Sequence, residues 1–181
     1  MTALRAARPD DAAAIAAIYA PFVTDTAVTF ETEPVSAAGI AERMRAAAGR
    51  YPWLVATDEA GAVTGYAYAT KFRERAAYRF AVETTVYVDP RAQRRGIAST
   101  LYRRLLDGLA AQGFTQALGV ITIPNEPSIR FHEAMGFARA GVFRQVGYKL
   151  GAWHDVGYWQ RPLAPSTIPA PEPKLVAQVT E

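Results

Sequence analysis

The sequence contains no cysteine and only two histidines among its 181 residues. The absence of cysteine excludes disulfide bonds, thiolate metal sites and a cysteine nucleophile, and it fits a reducing compartment. The two histidines, His132 and His154, lie too far apart in the sequence to suggest a zinc site, so we expect no metal. No apolar run has the length that crosses a membrane, and the first residues have no signal-peptide pattern. We therefore expect a cytoplasmic protein without a membrane partner.

The excess of positive charge is small. Twenty basic residues stand against seventeen acidic ones, which gives a formal net charge of +3. The arginines are spread over several predicted elements, and their densest group comprises Arg91, Arg94 and Arg95. That group suits the phosphates of a small ligand as well as those of DNA, and no recognition helix or zinc-finger pattern accompanies it. We expect no nucleic-acid partner.

Composition divides the chain into a folded part and a tail. Half of the residues are apolar, which is sufficient for one domain with a single substantial core. From residue 162 onward prolines become frequent and large apolar side chains become rare. We expect one domain over residues 1–163, followed by an extended or mobile tail over residues 164–181 that lies on the domain or on a neighbour.

A strand, a short basic loop and a helix follow one another near the middle of the chain. Residues 83–88 are rich in β-branched and aromatic side chains, which is typical of a strand. After the loop, apolar residues recur every four positions in the pattern of a helix that runs to about residue 112: Ile97, Leu101, Leu105 and Leu109. The loop presents unpaired N–H groups at the positive end of the helix dipole, and Gly96 lets a ligand approach the main chain. This arrangement favours a phosphate-bearing ligand; the alternative is a basic turn that caps a surface helix.

A second motif lies downstream. It has the pattern N-x-x-S-x-x-x-H-x-x-x-G-F and consists of Asn125, Ser128, His132, Gly136 and Phe137. Together with the Q-x-x-G-x-A pattern of residues 93–98, it resembles the motifs of the GCN5-related N-acetyltransferases (GNAT), in the same order and at compatible spacing. Further segments resemble the phosphinothricin and methionine sulfone N-acetyltransferase branch of that superfamily: residues 29–34, 72–78, 82–83 and 147–157. The resemblance covers residues 1–163.

The resemblance implies an α/β (α+β) fold, the GNAT acyl-CoA N-acyltransferase fold. Its twisted mixed sheet has about seven strands, antiparallel apart from a parallel pair formed by the fourth and fifth, with helices on both faces. From the residues themselves we predict strands at 4–7, 53–57, 63–69, 80–88, 116–123, 138–145 and 156–161. Helices are predicted at 10–22, 37–48, 97–112 and 128–135, and residues 24–34 are predicted to form a loop.

The resemblance also implies an enzyme that transfers the acetyl group of acetyl-CoA directly to the α-amino group of a small amino acid analogue. Phosphinothricin, methionine sulfoximine and methionine sulfone are the acceptors it suggests. Two alternatives remain open: acetylation of another small amine or of a protein N-terminus, and a noncatalytic acyl-CoA-sensing module. Acetyl-CoA is the expected co-substrate.

Two residues are candidates for the proton transfers. An aliphatic amine is mostly protonated at neutral pH and must lose a proton before it attacks a thioester. Glu83 lies in the predicted strand at the position that the resembled branch uses for its base; the alternative is a solvated strand residue. The family motif usually has tyrosine at the position of His132, but the resembled branch has histidine there, as this chain does. His132 is the candidate acid for the departing thiolate. Its alternative is a hydrogen bond to a helix neighbour.

The resemblance assigns the other motif residues to acetyl-CoA. In this family the fourth and fifth strands separate, so the backbone near Val88 would hold the acetyl carbonyl. Asn125 would bind the pantetheine or fix its loop. The predicted contacts are Val86, Tyr87, Val88, Arg94, Arg95, Gly96, Ile97, Ala98, Ser99, Asn125 and Ser128.

The acceptor is predicted to meet a charged and aromatic connection. Arg73 and Arg75 offer planar guanidinium groups to a carboxylate, a phosphinate or a sulfonyl group, and Arg75 is the preferred anchor. Tyr78 and Phe30 would close over a short side chain. The alternative for the two arginines is a solvated surface position.

The resembled branch also implies a homodimer. Aromatic residues late in the chain provide more apolar area than one short strand pair needs, and a two-fold partner would cover it. These residues are Phe143, Tyr148, Trp153, Tyr158 and Trp159.

Overall fold

The computed structural model describes residues 3–93 and 95–179 of the chain. These ranges contain seven strands: β1 (Ala3–Ala6), β2 (Trp53–Thr57), β3 (Val63–Lys71), β4 (Ala81–Val88), β5 (Gln116–Ile123), β6 (Ala138–Lys149) and β7 (Ala152–Pro162). Their four α-helices are α1 (Ala12–Asp25), α2 (Ala37–Ala47), α3 (Ile97–Gln112) and α4 (Glu126–Ala134). Within the same ranges, no helix combines the length and apolarity that crossing a bilayer requires.

The strands form one sheet in the order β1-β2-β3-β4-β5-β7-β6. Each neighbouring pair is antiparallel except β4 and β5, which run parallel. Parallel neighbours need a crossover connection, and α3 supplies it here. The predicted fold class is confirmed, including the position of the parallel pair.

Helices pack on both faces of the sheet, as predicted. Neighbouring residues of a strand point to opposite faces, so Val55 and Ala56 enter two different cores. On one face α3 buries its apolar stripe, in which Leu101 and Leu105 are inaccessible to solvent. Each such leucine stabilises the fold by about 1.5–3 kcal/mol relative to an exposed one. On the other face α1 and α2 pack through residues such as Ile15. We call these the α3 face and the α1/α2 face.

β4 and β5 pair over only three residues before they separate. Their ladder ends at the pair Glu83 and Leu118, although both strands continue for five more residues. Thr84 closes the junction, because its Oγ1 lies 2.7 Å from the Tyr102 hydroxyl and 3.3 Å from the Leu118 carbonyl oxygen. Beyond it, the strands open into a gap, and the backbone groups that face this gap have no partner in the β4–β5 ladder.

The β6–β7 hairpin is longer than predicted. β6 continues to Lys149, and β7 already begins at Ala152. Gln145 has a φ of 52°, and the pairing register shifts between Phe143 and Gly147. Such a bulge interrupts the two-residue period on which strand prediction depends.

Five helix ends also differ from prediction, namely both ends of α1 and of α4 and the C-terminal end of α2, each by one to three residues. α1 continues to Asp25 and takes up the first part of the predicted loop 24–34. α4 begins at Glu126, earlier than predicted, because the Asn125 side-chain oxygen caps the helix. This oxygen accepts a hydrogen bond of 3.2 Å from the Ser128 N–H group.

The late aromatic residues fall into two groups. Trp159 lies in the core and is 1% exposed, and Tyr158 is half-buried. The expectation that a two-fold partner covers Trp159 is therefore wrong. The alternation of β7 points Trp159 into the α3 face, which the sequence alone did not distinguish. Phe143, Tyr148 and Trp153 are instead 55%, 60% and 63% exposed.

The proline-rich tail lies against the domain. The Lys174 N–H group donates to the Gln112 carbonyl at 2.7 Å, and the Val176 N–H group donates to the Gly49 carbonyl at 2.8 Å. The buried Gln112 side chain donates in turn to the carbonyls of Arg50 and Lys174, both at 2.9 Å. This part of the tail is therefore docked on the domain, and its residues Val176–Gln178 form a 3₁₀ turn.

Candidate active site

The start of α3 has the features of an anion site. Gly96 has a φ of 73° and lies exposed immediately before the helix. Among the described residues no side chain caps the helix there, and its first N–H groups have no partner within the helix. A Cβ atom added at Gly96 would meet no atom of residues 3–93 or 95–179 within 4 Å, which leaves room for a ligand at the main chain. Because the helix dipole adds partial positive charge, this site favours a phosphate or pyrophosphate group.

The predicted residues around Gly96 differ in exposure. Arg95 is exposed, whereas Ala98 and Ser99 are half-buried. Ile97 is buried and packs in the core of the α3 face, so only its backbone is available to a ligand. Arg94, also predicted to contact the phosphates, lies outside the described residues.

The end of β4 presents backbone to the gap. Val86 and Val88 direct their side chains to the α3 face, and Tyr87 directs its ring to the α1/α2 face. One edge of this segment is bonded to β3, so its other edge faces the gap. N–H groups on that edge are suited to bind a carbonyl oxygen on which negative charge develops.

His132 is buried on α4 against β5. Its Nδ1 lies 2.8 Å from the Ser128 carbonyl oxygen, and because a carbonyl can only accept, Nδ1 carries the proton. In the neutral ring Nε2 is then an acceptor, and it lies 2.8 Å from the position of a Cβ added at Gly119. Burial lowers the pKa of His132 and so favours the neutral ring. The contact with a helix neighbour, considered above as the alternative role, is present.

Glu83 lies half-buried on the α1/α2 face, at the point where the gap begins. Burial raises the pKa of Glu83, and the positive charge of Arg73 opposes that rise. Tyr68 on the neighbouring strand interacts electrostatically with Glu83, and burial raises the pKa of Tyr68 to about 12, so its phenol stays protonated. A carboxylate whose pKa moves toward neutrality is suited to accept a proton from an ammonium group.

Arg73, a predicted acceptor residue, is exposed, and its positive charge counteracts the rise in the Glu83 pKa although the described residues show no ion pair between the two side chains. Its guanidinium carbon lies 4.4 Å from the centre of the Phe72 ring and 6.0 Å from that of Tyr158. Arginine stacks on aromatic rings in this way, which restricts its orientation. The role of Tyr158 in holding Arg73 was not predicted, because β7 lies far from residue 73 in the sequence.

Arg75 and Tyr78 lie on the outer side of the same connection. Arg75 is exposed and precedes a 3₁₀ turn formed by Ala76–Tyr78. Tyr78 is 43% exposed, and its ring packs edge-on against Phe72 at 5.7 Å. Phe72 therefore contacts both Tyr78 and the guanidinium of Arg73.

Phe30 lies on the loop formed by residues 26–35. Its ring is 6.1 Å from that of His154, and the residue is 38% exposed. Gly147 and Lys149 of β6 contact this loop, and neither was predicted as a site residue. No local pattern links residues 29 and 30 to β6, so sequence reasoning had no signal for these contacts.

The arrangement can support acyl transfer from a phosphate-bearing donor to an amine. It combines an anion site at α3, backbone donors in the gap, a carboxylate with a raised pKa and a nearby guanidinium. Residues 3–93 and 95–179 contain no group of three side chains that could hold a metal ion.

Known proteins are similar to this chain over most of its length. Residues 4–157 match the family model described as "Acetyltransferase (GNAT) domain". A phosphinothricin N-acetyltransferase of Streptomyces viridochromogenes is 45% identical, with 98% of this chain and 94% of the relative covered. An L-methionine sulfoximine/L-methionine sulfone acetyltransferase of Pseudomonas aeruginosa is 35% identical, with 90% and 95% covered.

A solved structure agrees with the sequence relatives. The crystal structure of a GNAT superfamily phosphinothricin acetyltransferase from Sinorhizobium meliloti in complex with AcCoA has a TM-score of 0.88 to this fold. The two chains are 40% identical, and the match covers 96% of this chain and 93% of the other. The chain therefore belongs to the GCN5-related N-acetyltransferase family.

Proposed function

We propose that this protein acetylates the α-amino group of a small anionic amino acid analogue, with acetyl-CoA as the donor. The observation that carries the acceptor class is the position of Arg73 on the β3–β4 connection, where it stacks on Phe72 and lies 6.0 Å from the centre of the Tyr158 ring. From there its positive charge opposes the rise in the Glu83 pKa, so a cation for an acid group and a base for an amine can serve one acceptor, although the described residues show no ion pair between them. Phosphinothricin, methionine sulfoximine and methionine sulfone contain both groups. Relatives named for acetylation of these compounds are similar to this chain over nearly its whole length.

Glu83 is the base in this proposal. It accepts a proton from the acceptor's ammonium group, directly or through a water molecule, so that the nitrogen can attack the thioester carbonyl carbon. N–H groups in the gap near Val88 donate to the carbonyl oxygen as it gains negative charge. The carbon–sulfur bond then breaks, while the start of α3 holds the phosphates of the leaving CoA. Arg73 pairs with the acid group and thereby orients the amine.

The departing thiolate also needs a proton. His132 can donate from Nε2 only as the imidazolium, a form that its burial disfavours. A positioning role, in which Nε2 accepts a hydrogen bond and the ring fills the space above Gly119, agrees better with this geometry. Solvent then supplies the proton.

Replacing Glu83 with Gln is expected to lower turnover at neutral pH by about 10²–10⁴-fold, because the amide cannot accept the proton. Turnover of the wild type should fall as pH drops through the Glu83 pKa, whereas the variant should lack this step and recover at high pH. A pH–rate profile of both proteins measures this. An unchanged profile and rate would remove Glu83 as the base.

The same variant separates catalysis from stability. A carboxyl whose folded pKa is raised stabilises the fold below its unfolded pKa, and this contribution is lost as pH rises through the folded pKa. At pH 7 the wild type therefore carries a buried charge that Gln avoids. Urea unfolding at pH 7 should give an equal or higher free energy of unfolding for Glu83→Gln, in contrast to its loss of turnover.

Replacing Gly96 with Asp should abolish acetyl-CoA binding while the protein stays folded, because it adds a negative charge at the proposed pyrophosphate site. Gly61→Asp is the matched control: Gly61 also has a positive φ, of 83°, and open space around its added Cβ. Both variants thus carry the same charge and similar backbone strain. Calorimetric titration with acetyl-CoA that gave equal affinities for the two variants would refute the anion site.

Replacing Arg73 with Ala should raise the acceptor KM by an amount that corresponds to about 1 kcal/mol, because the acid group loses a cationic partner that is exposed to solvent. Arg73→Lys keeps the charge without the planar fork and should show a smaller rise. The KM for acetyl-CoA should stay constant in both. The test is CoA release with phosphinothricin, methionine sulfone, a simple alkylamine and a peptide with a free N-terminus.

Arg75→Ala is the control for this series and should leave the acceptor KM near the wild-type value. If the acceptor KM rose for Arg75→Ala and not for Arg73→Ala, Arg75 would be the residue that binds the acid group, as the sequence analysis preferred. If the alkylamine or the peptide were acetylated as fast as the amino acid analogues, the proposed acceptor class would be wrong. No thiol release with any acceptor would favour the acyl-CoA-sensing alternative.

We also propose a homodimer that covers the outer face of the β6–β7 hairpin. Tyr148 and Trp153 lie there with their rings 5.2 Å apart and with most of their surface exposed. Light scattering should give twice the chain mass of 19.7 kDa for the wild type and the single mass after both residues are changed to Ser. Ile168→Ser, at a fully exposed tail position, should leave the mass unchanged. A monomeric wild type at micromolar concentration would contradict the dimer.

A further inference from the structure

We propose that Lys149 is a positioning residue for acceptor choice: it holds the 26–35 loop so that Phe30 limits the length of the acceptor side chain. The inference rests on the proposed function, because it assumes that the acceptor lies between this loop and Glu83. Lys149 belongs neither to the anion site nor to the catalytic residues. Its effect should therefore appear in selectivity among acceptors.

The first observation is a buried ammonium group with a backbone partner. Lys149 is 5% exposed, and its Nζ donates to the Thr29 carbonyl oxygen at 2.8 Å. Among the described residues no carboxylate lies within salt-bridge distance of this Nζ, and Glu31 supplies only longer-range attraction. Burial of a lysine without a close counter-ion costs free energy, and accordingly it lowers the pKa of Lys149. An apolar residue would avoid that cost but could not bond the loop.

The second observation concerns the next residue of the loop. A Cβ atom added at Gly147 would lie 2.3 Å from the Phe30 ring, so the ring rests directly on the backbone of β6. Gly147 and Lys149 are both buried, while Tyr148 between them is exposed. Two residues on one face of β6 therefore contact two consecutive loop residues, Thr29 and Phe30.

The opposite side of the loop is fixed to the helices. Glu31 accepts two hydrogen bonds from the Arg43 guanidinium on α2, at 2.6 and 2.9 Å. The Tyr19 hydroxyl on α1 lies 2.6 Å from Thr29 Oγ1 and 3.1 Å from Glu31 Oε1. The bond from Lys149 is thus a polar contact that ties this anchored loop to the hairpin.

The contacts of the loop also place it over the end of β4. Tyr19 packs on Tyr87 at 5.0 Å, so the loop lies above the β4 side chains of the α1/α2 face. Phe30 is partly exposed in spite of its contact with Gly147, which leaves one side of its ring facing open space. If the bond from Lys149 is lost, the ring can move away from β6, and longer acceptor side chains gain room.

The test is a comparison of Lys149→Met with wild type on methionine sulfone and on its S-butyl homologue. Met has similar length but no donor. We expect the KM for methionine sulfone to rise at least tenfold, the KM for the S-butyl homologue to change by less than twofold, and the KM for acetyl-CoA to stay constant. Lys174→Met, at an exposed position of the tail, is the matched control and should resemble wild type. Lys149→Arg, which keeps a cationic donor, should restore part of the preference.

A double-mutant comparison excludes a general loss of structure. In a Phe30→Ala background the effect of Lys149→Met on selectivity should disappear, because the limiting ring is absent. Hydrogen exchange of residues 26–35 should become faster in Lys149→Met and stay unchanged in Lys174→Met. If Lys149→Met does not fold, Lys149→Arg and Phe30→Ala carry the same comparison, since each is expected to shift selectivity toward the longer acceptor.

The outcomes separate this inference from the proposed function. If both acceptors and acetyl-CoA lose affinity in parallel, or if the acceptor ratio stays at the wild-type value, the role of Lys149 in selectivity is refuted while the proposed function stands. If wild type acetylates neither compound, nor phosphinothricin or methionine sulfoximine, the proposed function fails. In that case the hydrogen exchange of residues 26–35 still tests Lys149: if the exchange is unchanged in Lys149→Met, Lys149 does not fix the loop.

Discussion

The separation of β4 from β5 after Glu83 is the constraint on which the rest of the site depends. Backbone groups inside a sheet normally bond to a neighbouring strand, and leaving them without one costs free energy unless a ligand or water takes the place. The Thr84 and Tyr102 hydroxyls fix the point of separation from the α3 side. The same α3 carries Gly96 at its start, so one helix both holds the junction and presents the anion site.

The parts of this fold that were predictable are those with a strong local signal. The apolar repeat of α3 and the β-branched run of β4 gave their elements and the loop between them, because each depends on neighbours a few residues away. The β6–β7 hairpin was underestimated because the positive φ of Gln145 breaks the alternation. The prediction that Trp159 is available to a partner was wrong for a related reason. The face of the sheet to which this side chain points depends on the register of β7, which cannot be deduced from the sequence alone.

The positions of the candidate site residues in the fold were predictable where the resemblance fixed them within one segment, and not where the fold brings distant segments together; their roles stay predictions. Glu83 and Gly96 lie within one strand–loop–helix unit, so the motif located both. Arg73 and Arg75 are two residues apart, and only the path of their connection decides which of the two charges affects the pKa of Glu83. Lys149 and Thr29 are separated by 120 residues, and nothing in either segment indicates the other.

Glu83 and Lys149 illustrate a conflict between stability and activity. In both, burial disfavours the charged form, as the directions of their pKa shifts indicate. A fold selected for stability alone would replace them with apolar residues. Their presence on one face of the sheet agrees with a site where a proton is moved and a substrate is held.

Gln112 connects three segments that are distant in the sequence, because its side chain and carbonyl bond to residues 50 and 174. The C-terminal segment also closes one side of a cavity of about 680 Å³, to which Val176 and Val179 contribute. Truncation of this chain for expression at the end of the sheet would remove one partner of the buried Gln112 amide and part of the lining of that cavity. For protein engineering, the useful boundary of this domain therefore lies beyond the last strand, and a fusion partner is better joined after the docked tail than in place of it.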